Sequence, residues 1–446
     1  MRLIRSCRAG WLAAAASAAL MALGARSAQA IPSFARQTKL PCSACHTQFP
    51  ELTEFGRVFK LNGYTLRAIE SIEDSVKGRQ ALSLNLMPIV SIMAQASATQ
   101  VSRAEPGTQN GSILLPDQLS IFLAGGISSK LGTFVQVTYD PQSGLLALDN
   151  TSIRWATSAT LLGQPGVVGL SVNNNPTVQD LWNSTPAWGF PFASSSAAPA
   201  PAAGSMVDGG LAQAVAGLSL YTYLNGTVYA EAGAYRSSPL GAARPLAATD
   251  SGVINGVAPY WRLALTKPLL GGSLEIGTYG MWAKRQPAGF VPGGASDRYT
   301  DLAADVQLQT GGGFTLAGTW IHESRSLDAS VAQGAAAVKS QSLNSVRVRA
   351  TYHGGQLYAV HVAPFLISGT TDTTLYAPGD VSGSANGSPN SSGVVGELDW
   401  NVWENVRLSV QYTAYFKFNG ATTNYDGSGR KASDNNTLYF NAWLMF

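Results

Sequence analysis

Apolar and polar residues alternate one by one along much of this chain, which is typical of a β-strand with two different faces. The clearest case is 405–418, where one face is apolar: Val406, Leu408, Val410, Tyr412, Ala414, Phe416 and Phe418. The opposite face is mostly polar: Arg407, Ser409, Gln411, Thr413, Tyr415 and Lys417. Residues 345–353 repeat the pattern. Such strands fit a barrel with lipid outside and a polar lumen, although a soluble β-sandwich also alternates.

Strands of this kind recur from about residue 81 to the end of the chain. We predict about 16 of them, a number typical of porin-sized barrels. The predicted spans are 81–99, 117–129, 132–140, 146–157, 166–173, 210–224, 226–236, 257–267, 271–286, 297–309, 313–325, 339–353, 355–367, 391–401, 404–418 and 434–446.

The connections between these strands alternate in length. Tight turns are predicted at 129–132, 225–226, 310–313 and 353–355. Long segments are predicted near 100–116, 174–209, 237–256, 287–296, 326–338, 368–390 and 419–433. Short periplasmic turns and long outer loops are the usual asymmetry of outer-membrane barrels. An even strand count leaves both barrel ends on the periplasmic side. We expect the longest loop, 174–209, to fold into the lumen.

Composition favours the same class. Charged residues make up only 12% of the chain, about half the ~25% usual in soluble domains, and there are 47 glycines. The chain ends on Phe446, on an apolar strand face, as bacterial outer-membrane barrels often do. The net charge of +3 is too small to indicate a nucleic-acid partner. The predicted fold is an all-β transmembrane barrel of about 16 antiparallel strands with a small N-terminal helical segment.

Residues 1–30 have the features of a secretory signal peptide. Three arginines precede an apolar run over 11–24, and residues 28–30 form an A-x-A cleavage site. The mature chain is then expected to begin at Ile31, and Cys7 is lost with the signal. The apolar run is short for a transmembrane helix.

Residues 31–80 form a separate region before the barrel, which is predicted to span 81–446. One helix is predicted here, because Phe49, Leu52, Phe55, Gly56 and Phe59 recur at helical spacing. Pro50 suits its start, and Asn62-Gly63 can end it. Its aromatic face is suited to cover a porphyrin or to form a small core.

The residues before this helix carry the most specific motif in the chain. Cys42, Cys45 and His46 spell C-x-x-C-H, the attachment signature of a c-type haem. Each thiol can bond one haem vinyl group, and His46 is placed as the proximal iron ligand. A disulfide or redox-active pair is the alternative. A zinc site would need a second pair of ligands, and none is visible. The predicted cofactor is therefore one haem c.

Two stretches beside this motif carry a family resemblance. Residues 31–38 (IPSFARQT) and 49–64 (FPELTEFGRVFKLNGY), together with the motif, resemble the N-terminus of the fused monohaem cytochrome–porin family of outer-membrane iron oxidases. The order of signal, single haem motif and barrel covers the whole chain. The resemblance implies an iron:cytochrome oxidoreductase. It also implies that Cys42 and Cys45 attach the haem and that His46 is its proximal ligand.

The resemblance further implies partners and a location. The expected donor is extracellular Fe(II) or a similar reductant, and the acceptor is a periplasmic c-type cytochrome or another carrier. The barrel would contact outer-membrane lipid, with the haem segment at the periplasmic side or within the lumen. Two other functions remain open. One is a diffusion porin with a haem-bearing plug or redox gate, and the other is a haem enzyme acting on a small oxidant such as peroxide.

The second axial ligand of the haem is not fixed by any motif. Strand parity turns four candidates toward the lumen: Met87, Met93, His353 and His361. Methionine opposite histidine raises haem potential, which suits a weak donor such as Fe(II). The alternative is that the methionines fill a lumen wall. Charged side chains also face inward, namely Arg262, Arg347, Arg349, Arg407, Glu231, Asp305, Glu397 and Asp399. Two interpretations fit these residues: a mixed polar lining like that of a porin, or ion pairs with the haem and the plug. Neither interpretation identifies a further metal site.

Overall fold

The computed structural model describes residues 31–446 except 77, 142–143, 238–251 and 290–293. The predicted signal peptide, with Cys7, lies outside the described residues.

The strands close into one antiparallel barrel. Its sixteen long strands are Val90–Val101, Ser112–Gly126, Leu131–Asp140, Leu145–Leu161, Gln164–Asn173, Val215–Leu224, Val228–Ser237, Ala258–Leu269, Gly272–Gln286, Asp297–Gln309, Phe314–Ser326, Ser340–Gly354, Tyr358–Gly369, Ser391–Trp403, Val406–Lys417 and Thr437–Met445. The last pairs with the first, with Trp443 opposite Gln95, and this closes the cylinder. A two-residue strand, Val253–Ile254, is added at the rim. The predicted number of strands is confirmed.

The alternation of apolar and polar positions sorts side chains between the two sides of the wall, as predicted. On strand Val406–Lys417, Arg407, Ser409 and Gln411 are buried inside, while Val410 and Tyr412 are exposed outside. Phe418 was expected on the outward face, but it is fully buried. The strand ends at Lys417, so Phe418 turns inward and packs against Tyr415 and Tyr425.

The predicted bounds of the first strand, 81–99, are wrong, and so is the predicted start of the barrel at residue 81. Arg79–Asn85 pairs instead with Ser71–Val76 in a separate two-stranded sheet. The first barrel strand starts at Val90. Pro88 lies in the break, where it cannot donate a hydrogen bond to a strand ladder.

Before the strand Ser71–Val76, the N-terminal segment contains three short helices and one small hairpin. The helices are Pro32–Thr38, Cys42–Cys45 and Glu54–Leu61, and the hairpin pairs His46–Gln48 with Glu51–Leu52. The third helix begins after Thr53, not at Pro50, because the Thr53 hydroxyl accepts a hydrogen bond from the Gly56 amide (3.1 Å). It ends at Leu61, next to the predicted Asn62-Gly63 stop.

Single helical turns occur within or near the long loops, at Pro186–Trp188, Met206–Gly210, Asp328–Ala332 and Ala432–Asn435. Among the described residues, no helix combines the length and the apolarity needed to cross a membrane.

Residues 31–65 of the N-terminal segment lie inside the barrel and contact its wall on several sides, whereas the strand Ser71–Val76 is mostly exposed. Gln37 accepts a hydrogen bond from the Gly126 amide (2.7 Å), and Arg57 donates to Ser273 and Gln307 (2.8 Å each). The approach is close, since a Cβ atom at Gly132 would lie 2.0 Å from the Gly63 carbonyl oxygen. Residues 31–65 therefore fill part of the lumen and are fixed to the barrel wall; they are called the plug below.

The loop between Asn173 and Val215 folds into the same lumen, as predicted for 174–209. Val178, Leu181, Trp182 and Thr185 are almost completely buried. Lys60 of the N-terminal segment donates to the Val178 carbonyl (2.9 Å), and the loop thereby packs on the plug.

Candidate haem site

The C-x-x-C-H motif occupies a short helix inside the barrel, near the end that carries the tight turns. The Cys42 amide donates a hydrogen bond to Glu404 (2.7 Å), and the Ser43 hydroxyl donates to the same carboxylate (3.2 Å). Glu404 lies in the two-residue connection between strands Ser391–Trp403 and Val406–Lys417. A barrel turn therefore fixes the start of the motif.

The helix Glu54–Leu61 supports the motif from the other side. The Thr53 amide donates to the Cys45 carbonyl (2.9 Å), and the Thr53 hydroxyl donates to the Ala44 carbonyl (2.7 Å). Gly56 permits this contact, because a Cβ atom there would lie 2.1 Å from the Cys45 carbonyl oxygen. The motif thus has a defined backbone position between a helix and a barrel turn.

His46 follows the helix in extended backbone and is half-buried, with its Nδ1 inaccessible to solvent and its ring beside Phe49 (5.2 Å between centroids). Burial lowers the pKa of His46 to about 4, against smaller opposing effects of the Glu51 and Pro50 backbone. The imidazole is then neutral at physiological pH, the form that binds a metal. Its Nδ1 has no hydrogen-bond partner among the described residues.

A cavity of about 340 Å³ adjoins Cys42, Cys45 and His46. This volume falls within the usual range for ligand pockets, roughly 300–1,000 Å³. Nine aromatic side chains line it: Phe34, Phe49, Phe59, Tyr64, Phe122, Phe134, Trp188, Phe192 and Trp443. They come from the plug, the wall and the inward loop. The cavity is apolar on most sides, and its polar lining residues are Thr38, Lys60, Gln95, Gln118, Gln136, Asp149, Asn150 and Asn183.

These residues fit a c-type haem. Burial raises the pKa of the Cys45 thiol to about 11. His46 is neutral and has an unpartnered ring nitrogen, and the cavity beside it is largely aromatic, which suits a flat apolar porphyrin. The alternative of a Cys42–Cys45 disulfide or redox pair does not account for that aromatic cavity.

The structure places the four candidates for the second axial ligand in different surroundings. Met93 is buried and lines the cavity together with His46. Met87 lies in the break before the first barrel strand and is exposed. His353 contacts Glu51 (3.5 Å), and His361 contacts Asp399 (3.0 Å); neither lines the cavity. Met93 is thus the one candidate of the four that borders the haem motif's cavity.

Ion pairs attach the plug and the inward loop to the wall. Glu51 of the plug pairs with Arg349 of the wall, and both are buried. Burial alone would raise the pKa of Glu51, but Arg349 and His353 hold it well below its usual range. Asp180 of the inward loop pairs with Arg262 (3.3 Å). The inward arginines therefore serve largely as partners for acidic plug and loop residues, one of the two roles considered from sequence.

Sequence reasoning missed Glu404, Thr53 and the close contact at Gly56. Nothing local marks Glu404, because its role depends on a contact over more than 350 positions. The Thr53 cap has a sequence signal, since a threonine directly before a helix is a common N-cap.

No protein-family model matches the chain, and a search of curated proteins finds no relative. Its fold resembles several solved outer-membrane proteins. They include OmpT of Vibrio cholerae, 10% identical with a TM-score of 0.45, covering 80% of this chain and 96% of that one. The channel DcaP of Acinetobacter baumannii is 11% identical, with a TM-score of 0.46 and coverage of 80% and 96%. OprB of Pseudomonas putida is 13% identical, with a TM-score of 0.48 and coverage of 80% and 93%. At this level of likeness, what those proteins do says nothing about this chain.

Proposed function

We propose that this chain is an outer-membrane electron-transfer protein with one c-type haem in its lumen. It oxidises an extracellular donor, Fe(II) by the family resemblance, and reduces a periplasmic c-type cytochrome or another carrier. The observation that carries the proposal is the position of the Cys42–His46 motif. It lies inside a closed barrel and borders an aromatic cavity of about 340 Å³.

The outer surface supports a membrane location. The outward face of the barrel carries many exposed aliphatic side chains, including Leu218, Leu220, Leu263, Leu265 and Ile276. One end of the barrel has tight turns and the other has long loops. In outer-membrane barrels the tight-turn end is periplasmic. Glu404 and the haem motif lie near that end, on the side of a periplasmic acceptor.

A bound haem would supply a reversible one-electron couple at its iron. Cys42 and Cys45 would hold it covalently, and neutral His46 would provide the proximal nitrogen. The aromatic wall excludes water, which controls the dielectric around a redox centre and therefore its potential. Met93 is placed to offer a sulfur from the same cavity, and a methionine ligand favours a higher potential.

The fusion of such a segment to a barrel has a physical purpose. The lipid-facing band of an outer-membrane barrel is about 25 Å tall. A redox centre below the barrel would lie far from an extracellular donor. Holding the segment within the lumen, through contacts such as Glu51–Arg349, shortens that separation.

A diffusion porin with a haem-bearing plug is the second candidate, because porins of 16–18 strands enclose an aqueous channel. In this barrel the plug and the inward loop occupy the lumen, with Trp182 and Val178 almost fully buried. That filling opposes free diffusion. A peroxide-type enzyme would need an open coordination position on its haem iron, and Met93, which lines the cavity, would offer a sulfur to that iron. Single-channel conductance in planar bilayers would distinguish an open pore from a filled one.

The deciding experiment supplies Fe(II) outside intact cells that display the folded protein, with no soluble cytochrome added. We expect the haem absorbance to change to that of the reduced form. His46→Ala should abolish the change, whereas His322→Ala, which alters a histidine outside the cavity, should not. The proposal is wrong if wild-type haem stays oxidised with excess Fe(II) yet is reduced by a small permeant reductant.

A further inference from the structure

A second group of metal-ligating side chains lies in the lumen outside the haem cavity. His361 on strand Tyr358–Gly369 pairs directly with Glu397 on strand Ser391–Trp403, and Asp399 lies two residues further along that strand. One donor atom from each side chain lies within 4.8 Å of the other two. All three are buried, with at most 5% exposed. Within the described ranges this is the only such group of three or more.

The protein's own hydrogen bonds leave two carboxylate oxygens of this group unused. His361 Nδ1 lies 2.8 Å from the Thr351 hydroxyl, and its Nε2 lies 3.0 Å from Asp399 Oδ2. Glu397 Oε2 accepts from Gln411. Glu397 Oε1 and Asp399 Oδ1 have no hydrogen-bond partner in the described part of the chain. Buried carboxylate oxygens without partners cost free energy, so the group is short of a positive partner.

The nearby arginines supply only part of that positive charge. Arg407 Nε lies 3.8 Å from Asp399 Oδ1, beyond hydrogen-bond distance. Its guanidinium is directed over the Trp443 ring (4.5 Å) and donates to the Phe49 carbonyl (2.7 Å). Arg349 pairs with Glu51 instead. Arg407 therefore offsets part of the negative charge without occupying the free oxygens.

We infer that His361, Glu397 and Asp399 bind a divalent first-row transition-metal cation in the lumen. One imidazole nitrogen with carboxylate oxygens is a mixed donor set that suits Fe(II), Mn(II) or Zn(II). The Gln48 side chain connects this site to the haem segment. Its Nε2 donates a hydrogen bond to Asp399, and its Oε1 lies 3.3 Å from His361 Nε2. Gln48 is two residues from His46, about 7 Å along a strand. For its role the inference rests on the proposed function: the site would hold the donor cation beside the haem segment.

Mn(II) is the probe, since the electron paramagnetic resonance signal of free Mn(II) falls as the cation binds. Full-length purified protein in detergent should bind one Mn(II) per chain saturably. Loss of a second-sphere partner typically weakens metal binding about 10–100-fold, so loss of a ligand should cost at least about tenfold. We expect that loss in Glu397→Gln and in His361→Gln.

Glu231→Gln is the matched control. Glu231 is also buried in the lumen and also has one carboxylate oxygen without a partner among the described residues, while the other accepts from Tyr229 (2.8 Å). It belongs to no such group of three. The control should bind Mn(II) like wild type. Gel mobility of unboiled samples checks that each variant keeps its folded barrel, and the two site variants provide independent tests.

The inference is overturned if wild type binds no Mn(II), if both site variants bind it normally, or if Glu231→Gln weakens it equally. These outcomes are separate from those of the proposed function. Protein that binds Mn(II) at this site but is not reduced by Fe(II) contradicts the proposed function alone. Protein that is reduced by Fe(II) but binds no Mn(II) contradicts the metal site alone.

Discussion

The backbone amide of Cys42 donates a hydrogen bond of 2.7 Å to the carboxylate of Glu404, in a tight turn of the barrel. The Ser43 hydroxyl donates to the other oxygen of that carboxylate (3.2 Å). The first residue of the haem motif is therefore fixed by a residue more than 350 positions later. The motif reaches its observed position only when the barrel wall has formed.

Glu404→Ala should loosen this attachment. A hydrogen bond to a charged group contributes about 1.5–3 kcal/mol, and partial exposure reduces that here to about 1 kcal/mol. We expect less covalent haem per folded barrel, measured by haem staining against total protein. Glu105→Ala, in the loop after the first barrel strand, is the control and should not change the ratio. Equal staining in both variants would show that the turn does not position the motif.

Gly56→Ala should strain the support behind the motif. The added Cβ would lie 2.1 Å from the Cys45 carbonyl oxygen, so backbone must shift. Overpacking typically costs about 1–3 kcal/mol, and alanine's better helix propensity offsets roughly 1 kcal/mol. We expect a lower denaturant midpoint by near-ultraviolet circular dichroism. Gly312→Ala is the comparison, because its Cβ would meet nothing closer than 3.9 Å. If the two variants unfold alike, the contact is unimportant.

Covalent haem attachment should depend on the two motif cysteines. Cys42→Ala combined with Cys45→Ala should abolish the haem stain of the denatured protein, because no thiol remains to form a thioether. Cys7→Ala should leave it intact, since Cys7 lies in the predicted signal peptide. A stain that survives the double substitution would contradict attachment at this motif.

Much of the fold follows from patterns local in sequence. Alternation gave the number of strands and the inward position of Arg349 and Asp399, because a strand has a fixed period of two. The alternation also predicted that the first strand continues through Pro88, and this was wrong. Apolar periodicity contains no information about the missing backbone N–H of proline, which cannot join a strand ladder.

The site was less predictable than the fold. The motif named Cys42, Cys45 and His46, and parity named Met93 among four equal candidates. Parity gives the face of a strand but not the height along the barrel axis, so it could not separate Met93 from His353 and His361. The contact of Cys42 with Glu404 depends on how the plug seats in the closed wall, which no local pattern encodes.

Acid should release the inward loop. The Asp180 carboxylate accepts from three amides within 182–185 and pairs with Arg262. Burial raises the pKa of Asp180, but Arg262 and Lys60 outweigh that and lower it. A carboxyl with a depressed folded-state pKa stabilises fully above its unfolded pKa of ~3.9, and the stabilisation is lost as pH falls through the folded value.

Hydrogen exchange of the 174–190 peptide should test this relation, after correction for intrinsic rates. Protection in wild type should be constant from about pH 7 to 5 and should fall below about pH 4. In Asp180→Asn, the free energy of opening of the 174–190 peptide should be lower by about 1–3 kcal/mol at neutral pH, and its protection should no longer depend on acid. Asp380→Asn, in an outer loop, should behave as wild type. Wild-type protection that is equal at pH 3 and 7 would rule out this role for Asp180.

Met93→Leu should change the electronic properties of the haem while leaving the barrel folded. Leucine nearly conserves the volume of methionine, so packing costs should stay below about 1.5 kcal/mol. If Met93 supplies the second axial ligand, its loss removes the methionine-to-iron charge-transfer absorption. It should also lower the potential by on the order of 0.1 V, within the ~0.8 V range that axial ligands span.

Met87→Leu is the matched control, because Met87 is exposed and does not line the cavity. An unchanged spectrum and potential in Met93→Leu would mean that the sulfur only fills the wall. The second axial position would then be open or held by another residue, and the peroxide-type function would regain support.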